Sequence, residues 1–511
     1  MIVPLGALSL LAAEALLART TGAIPTSKPS QWTLVQDELH EMERPIRPVQ
    51  RRLTEQNDTI CDAGSRQWSG LVPLNAERDM FFWYFESRHQ PQDAPLIIWL
   101  NGGPGASSLL GAFHEIGPCS VTEDGEKTVR SEYSWTEFAN MLFIDQPIGV
   151  GFSDPQDPTL WSKNLQESAI DLDKFLDVFL GEYFPSLQKR PIHFAGESFG
   201  GKYCPVYADL MRRRFDSIVL VNALVDYSDV SLGVYDHFCT AEPTDARRRG
   251  LNASTCEEME RGYSACEKFG RLCAATYDSD VCLTALLNCV EATEPYQREV
   301  VPGGQNPYDD RTECIDPPMC GRLGTSPLPP RNCGYLCTEL PSVLTMCSGM
   351  QEVRKYLNRE EVQEALGFQP RTFEPVNMEF NANWSQQGDV FIPSTREIAR
   401  LLDQKKTPIL VLNGNNDAIV NTEGILRTYE SLLWSGHAAF RSKNLKPWYH
   451  GEVKGENMSL GGTAKVVKNL ALVTVDEAGH MSPHDQPLAV SRVMRAWIKD
   501  TSTSGSVVGL F

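Results

Sequence analysis

The residues most able to do chemistry lie in Ile192-His193-Phe194-Ala195-Gly196-Glu197-Ser198-Phe199-Gly200-Gly201, where an apolar run leads into Gly-x-Ser-x-Gly. Such a strand-to-helix turn presents its serine, here Ser198, as a nucleophile. A side chain at either flanking position is expected to crowd the turn, so Gly196 and Gly200 supply room. Taken alone, the five-residue match fits a serine in an ordinary Gly-rich loop equally well. A serine hydroxyl is a poor nucleophile at neutral pH. It needs a base within hydrogen-bond reach and an acid that fixes the tautomer of that base.

Two later apolar runs end in loops that carry these residue types. Leu410-Val411-Leu412 leads to Asn413-Gly414-Asn415-Asn416-Asp417, and Leu472-Val473-Thr474-Val475 leads to Asp476-Glu477-Ala478-Gly479-His480-Met481. The order Ser, Asp, His along the chain is that of α/β-hydrolases, and it selects Ser198, Asp417 and His480 as a triad. Nine histidines are present, and position after a strand singles out His480. Asp476 and Asp485 are rival acids, but both sit beside His480 in sequence, whereas an acid must meet the imidazole from across the fold. A second Gly-rich turn, Trp99-Leu100-Asn101-Gly102-Gly103-Pro104-Gly105, follows an early strand. There the amides of Gly103 and Phe199 are expected to hold an oxyanion. A phosphate-cradling loop is disfavoured because no Lys-Ser/Thr pair ends the turn.

The elements that must position these groups follow from hydrophobic pattern. Residues 80–85 and 96–100 read as neighbouring strands, 141–145 as another, and 165–184 repeats apolar residues at helical spacing. Residues 217–221, 408–412 and 470–475 add further strands. Alternation of strand and helix predicts an α/β fold with a mainly parallel central sheet drawn from both ends of the chain. Residues 230–345, rich in Cys, Pro, Gly and charge, have no sustained strand pattern and read as a disulfide-rich insertion capping the site. The expected organisation is a signal peptide over 1–23, a pro-segment over 24–52, core over 53–229, the cap over 230–345, and core again over 346–511.

In 511 residues, 47 Lys and Arg stand against 66 Asp and Glu, a formal charge of −19. That balance argues against nucleic-acid or anionic membrane partners. The apolar stretch from Leu5 to Leu17, followed by Thr21-Gly22-Ala23, suits a cleaved signal and is shorter than the roughly 20 residues of a membrane span. Arg51-Arg52 resembles a processing site, and Arg247-Arg248-Arg249 is either a solvated loop or a second one. Fourteen cysteines and the sequons at Asn57, Asn252, Asn383 and Asn457 indicate the secretory route, with the protein either secreted or vacuolar. No Cys pair has zinc-ligand spacing, and neither metal nor cofactor is required. Oligomeric state is not legible.

The chain resembles fungal serine carboxypeptidases of the carboxypeptidase Y family. The resemblance rests on WLNGGPGASSLLG (99–111), DQPIGVGFS (145–153), GESFGGKY (196–203) and AGHMSP (478–483). It implies release of single residues from the free C-terminus of peptide or protein substrates through an acyl-enzyme. It assigns Trp99, Asn101, Gly102, Glu115 and Glu197 to gripping the terminal carboxylate, and Met481 to the wall of the terminal-residue pocket. Two glutamates facing a carboxylate can hold it only while protonated, so binding should favour acidic pH. The resemblance also implies the bridges Cys239–Cys256, Cys266–Cys289, Cys273–Cys282 and Cys314–Cys320. Cys61, Cys119, Cys204, Cys333, Cys337 and Cys347 stay unassigned. Ala106 and Val376 stand where the family has a bonded cysteine pair, and Lys202 replaces a frequent His, with no consequence readable from sequence. An acyltransferase on the same triad, or a catalytically idle binding protein on the same fold, are the alternatives.

Overall fold

A computed structural model describes residues 52–155, 157–240, 250–300, 305–312, 350–386, 388–451 and 458–504. The expected signal and pro-segment up to Arg51, Arg247-Arg248-Arg249, the Cys314–Cys320 pair, Cys333, Cys337, Cys347 and the Asn457 sequon lie outside them.

The strands are β1 (Arg52–Gln56), β2 (Gln67–Pro73), β3 (Asp79–Phe85), β4 (Leu96–Leu100), β5 (Cys119–Val121), β6 (Thr128–Arg130), β7 (Asn140–Ile144), β8 (Ile192–Glu197), β9 (Ser217–Val221), β10 (Ile409–Gly414), β11 (Lys446–His450), β12 (Ser459–Val467) and β13 (Leu470–Val475). Eleven of them form one sheet in the order β1-β2-β3-β7-β4-β8-β9-β10-β13-β12-β11, and β5 pairs with β6 separately. From β7 to β13 neighbouring strands are parallel, and antiparallel hairpins finish both edges. Strands covered on both faces are largely apolar, which is why β8, β9, β10 and β13 read as apolar runs and are wholly buried, and the polar His193 of β8 and Ser217 of β9 meet each other at 2.8 Å.

Side chains alternate between two cores. Ile98, Phe194, Leu220 and Val411 face one, beneath the helix Leu165–Val178, whose Leu165, Ala169, Leu172 and Phe175 recur at helical spacing. Trp99, Ala195, Val221 and Leu412 face the other, covered by Val490, Val493, Met494 and Trp497 of the C-terminal helix Pro487–Ser504.

One expectation about the sheet is corrected. β3 and β4 are not neighbours, because β7 lies between them, antiparallel to β3 and parallel to β4. Leu142 and Phe143 present apolar side chains to both cores, so β7 completes the covered sheet where a direct hairpin would have left it outside.

The part of the insertion described is a hairpin of two long helices, Ala253–Thr276 and Ser279–Val300. They are joined at Tyr277, which takes the left-handed conformation. Nested bridges Cys266–Cys289 and Cys273–Cys282 tie the two helices together, and Cys239–Cys256 ties the first to the preceding turn. Cys61 pairs with Cys119, joining the segment before β2 to β5, while Cys204 is buried and free. Among the described residues, no helix is long and apolar enough to cross a membrane.

Candidate active site

β8 delivers Ser198 at its C-terminal end with φ 57°, the left-handed backbone of a sharp turn into the helix Gly200–Leu210. The turn is locked from β9: the Ser198 amide donates to Val221 O at 3.1 Å, and Leu224 N donates to Ser198 O at 2.8 Å. The glycines divide differently from expectation. A Cβ on Gly196 would lie 2.6 Å from Cys204 Sγ, but one on Gly200 would meet only Leu100 O, at an ordinary 3.5 Å. The second crowded position is Gly201, whose Cβ would lie 2.4 Å from Leu224 O, because the helix start packs against the segment leaving β9.

The loop after β10 places Asp417, fully buried, against the loop after β13. His480 Nδ1 lies 2.7 Å from Asp417 Oδ2. The other carboxylate oxygen accepts the amides of Ile419 at 2.9 Å and Val420 at 3.0 Å, so the acid is fixed in orientation. Neither rival acid does this: Asp476 accepts from Asn415, and Asp485 accepts from Gly479 N and Arg311. Burial pulls the His480 imidazole toward its neutral form, but the charge and hydrogen bond of Asp417 outweigh burial and raise its affinity for a proton.

Two residues that sequence reasoning missed complete this pair. Asn222, at the end of β9 with φ 43°, donates through Nδ2 to Asp417 Oδ2 at 2.9 Å and to Gly479 O at 3.2 Å. The other is Tyr308, in the insertion. Its carbonyl accepts the His480 amide at 2.7 Å, and its ring stands edge-on to the imidazole at 5.1 Å. A polar residue directly after a buried strand was a signal available for Asn222. Nothing local marked Tyr308.

Gly102 brings the second Gly-rich turn onto the serine elbow. A Cβ there would sit 2.3 Å from Phe199 N and 2.8 Å from Ser198 Cβ, so only glycine permits the approach. Gly103 follows with φ 102°. Among the described residues, neither the Gly103 nor the Phe199 amide donates to another group of the chain. That is the state required of donors reserved for an oxyanion. Asp145, another residue not foreseen, anchors this turn: it accepts from Ser107 Oγ, from Ser108 N at 3.1 Å and from Phe152 N at 2.8 Å. Burial raises its carboxyl to about 6 although these donors pull the other way.

Beside the elbow is an acid pair, Glu197 buried and Glu115 half-buried. Trp99 Nε1 and Gly111 N donate to Asn101 Oδ1 at 2.8 and 2.9 Å, which turns the Asn101 amide nitrogen toward Glu115 Oε1 at 3.1 Å and Glu197 Oε1 at 3.2 Å. The second carboxyl oxygens of both glutamates are buried without a fixed hydrogen-bond donor. Burial, then the charge of Glu115 and a proton shared with it, push the Glu197 carboxyl well above the usual carboxylate range. Met481, half-buried, precedes the short helix Ser482–Asp485. That helix reaches the turn bearing Glu115, where His484 Nδ1 meets His114 O at 2.9 Å and the two imidazoles stack at 4.1 Å. Asn57, Asn252 and Asn383 are exposed.

A mainly parallel sheet with a nucleophile elbow after β8, an acid after β10 and a histidine after β13 defines an α/β-hydrolase. The family model described as serine carboxypeptidase matches residues 58–500, so the chain belongs to the serine carboxypeptidase family and is a peptide hydrolase. It is 31% identical over 445 residues to carboxypeptidase Y homolog A of Phaeosphaeria nodorum, covering 85% of this chain and 73% of that one. It is 32% identical over 446 residues to a vacuolar serine-type carboxypeptidase of Saccharomyces cerevisiae, covering 85% and 79%. A prohormone-processing carboxypeptidase from Saccharomyces cerevisiae, 23% identical, shares the fold with a TM-score of 0.68 over 88% of this chain and 95% of that one.

Proposed function

We propose that Ser198 attacks the last peptide bond of a substrate, that His480 takes the serine proton and returns it to the departing amino acid, and that Asp417 orients the imidazole. The amides of Gly103 and Phe199 hold the oxyanion, and water then releases the shortened peptide from the acyl-enzyme. Trp99, Asn101, Gly102, Glu115 and Glu197 grip the free carboxylate of the terminal residue, and Met481 lines the pocket for its side chain.

The observation that carries the terminal-carboxylate assignment is the hydrogen-bonded Glu115–Asn101–Glu197 cluster, whose Glu197 is next in sequence to the nucleophile. A carboxyl that keeps its proton donates to an incoming carboxylate, and an ionised one repels it. Because Glu197 holds its proton well above the usual carboxylate range, binding is strong on the acidic side and weakens as pH rises through that value. The test is KM against pH with a blocked dipeptide. KM should rise from acidic to neutral pH. A flat profile, or loss of binding at every pH in Glu115→Gln, overturns the assignment.

The same reading makes residues 1–23 a signal peptide, 24–52 a pro-segment and 230–345 a cap over the site. It places the protein in the secretory pathway, outside the cell or in an acidic vacuole. An acid-favoured site and a relative that is vacuolar by name support the vacuolar destination.

A further inference from the structure

His237 is buried in the helical turn Asp236–Thr240. Its Nδ1 lies 3.0 Å from Glu423 Oε2, and its Nε2 lies 2.9 Å from Asp310 Oδ2. A neutral imidazole has one N–H, so it can donate to one carboxylate but must turn a lone pair toward the other. With both acids ionised, both contacts are hydrogen bonds only when the ring carries its second proton.

The two acids stand on segments that support the triad. Asp310 Oδ1 accepts Asn416 Nδ2 at 2.8 Å, and Asp310 N donates to Asn416 O at 3.0 Å, one residue before Asp417. Two residues earlier is Tyr308, whose carbonyl and ring hold His480. Glu423 lies in the first turn of the helix Thr422–Ser431, directly beyond the Asp417 loop. Among the described residues, Asp236 on its own turn, which is paired with Arg427 at 3.0 Å, and the Tyr296 phenol, stacked on Phe238 at 5.0 Å, also stand near the ring. Phe238 in turn stands edge-on to His237. Burial and the charges of Asp310 and Asp417 disfavour ionisation of Tyr296. Two carboxylates at these distances favour the extra proton.

We infer that His237 is a positioning residue for the peptidase reaction: protonated between Asp310 and Glu423, it clamps residues 305–312 onto the Asp417–His480 pair, and loss of that proton as pH rises loosens the site. The inference rests on the triad reading given above.

The test is the rate at which a fluorophosphonate labels Ser198, because this probe has no terminal carboxylate and so does not depend on Glu115 or Glu197. In Asp310→Asn the amide oxygen can still accept from Asn416, while its NH2 can donate to a neutral imidazole, closing the network with one proton fewer. The ratio of the Asp310→Asn rate to the wild-type rate cancels the titration of His480 itself. It should rise about tenfold between about pH 5 and about pH 8. His237→Gln should slow labelling at both ends of that range. A constant ratio, or wild-type labelling by His237→Gln, overturns the clamp, and the near-isosteric Asp310→Asn decides the matter if His237→Gln does not fold. Wild-type protein that is folded but does not label overturns the triad reading instead.

Discussion

Ala106 and Val376 oppose each other in an isolated antiparallel bridge that fastens the Gly-rich turn after β4 to the segment 375–377. Asn377 N donates to Gly105 O at 2.9 Å and Ser107 N to Pro375 O at 2.8 Å, one on each side of the pair. The two residues are therefore a non-hydrogen-bonded pair, the kind whose Cα atoms lie about 4.5 Å apart. The positions at which the family resemblance implies a bonded cysteine pair thus stand face to face.

Ala106→Cys with Val376→Cys should therefore close spontaneously in the oxidised protein, since that spacing lies within disulfide reach. The added stability should be about 2–4 kcal/mol, because the loop spanned is long. Thermal unfolding with and without reductant measures it. Two free thiols in the folded double variant would refute the face-to-face arrangement.

Asp417→Asn should lower kcat by about 10³–10⁴-fold, because an amide cannot stabilise the imidazolium that forms during attack. Asn222→Ala, which removes one donor to Asp417 and the tie to Gly479, should cost about 10-fold in kcat with KM nearly unchanged. Steady-state kinetics at fixed pH separates the two. An Asn222→Ala effect confined to KM would mean that Asn222 serves binding and not the triad.

Glu197 also sets a stability slope. Its folded proton affinity is raised above that of the unfolded chain, chiefly by burial and then by Glu115. At pH values between the unfolded and folded pKa the folded state binds more protons, so stability falls as pH rises through that window. Glu197→Gln removes this slope. The melting temperature of the variant minus that of the wild type should increase from acidic to neutral pH, and a constant difference would contradict the acid pair.

Lys202 is fully buried, and its ammonium donates to Val225 O at 2.8 Å and Ile392 O at 2.7 Å. Its charge also draws down Asp226, whose carboxyl burial otherwise raises and which caps the helix Tyr227–Tyr235. Lys202→Met strands the Ile392 carbonyl, leaves Val225 O with Ser394 N alone, and takes the buried countercharge from Asp226. It should destabilise the fold by about 3 kcal/mol, read from urea unfolding. A loss of activity without a loss of stability would instead place Lys202 in the chemistry.

Much of this was written in the chain locally. Ser198, Asp417 and His480 each follow an apolar run, and a strand buried on both faces is largely apolar, so the strands and the loops after them could be read directly. Of the two glycines read as giving the elbow room, Gly196 does so and Gly200 does not, its place being taken by Gly201. Strand order could not be read in this way. β3 and β4 look adjacent because they are consecutive, but which strand fills a gap depends on how both faces of a sheet are covered.

Asn222, Asp145, Tyr308 and His237 were decided only by tertiary structure. Each acts through a partner dozens to hundreds of residues away, as Asn222 does on Asp417. A polar side chain carries no periodic signal that names such a partner. Its role is set by which donor meets which acceptor once water has been excluded, and residue types and spacing cannot encode that meeting until the chain has folded.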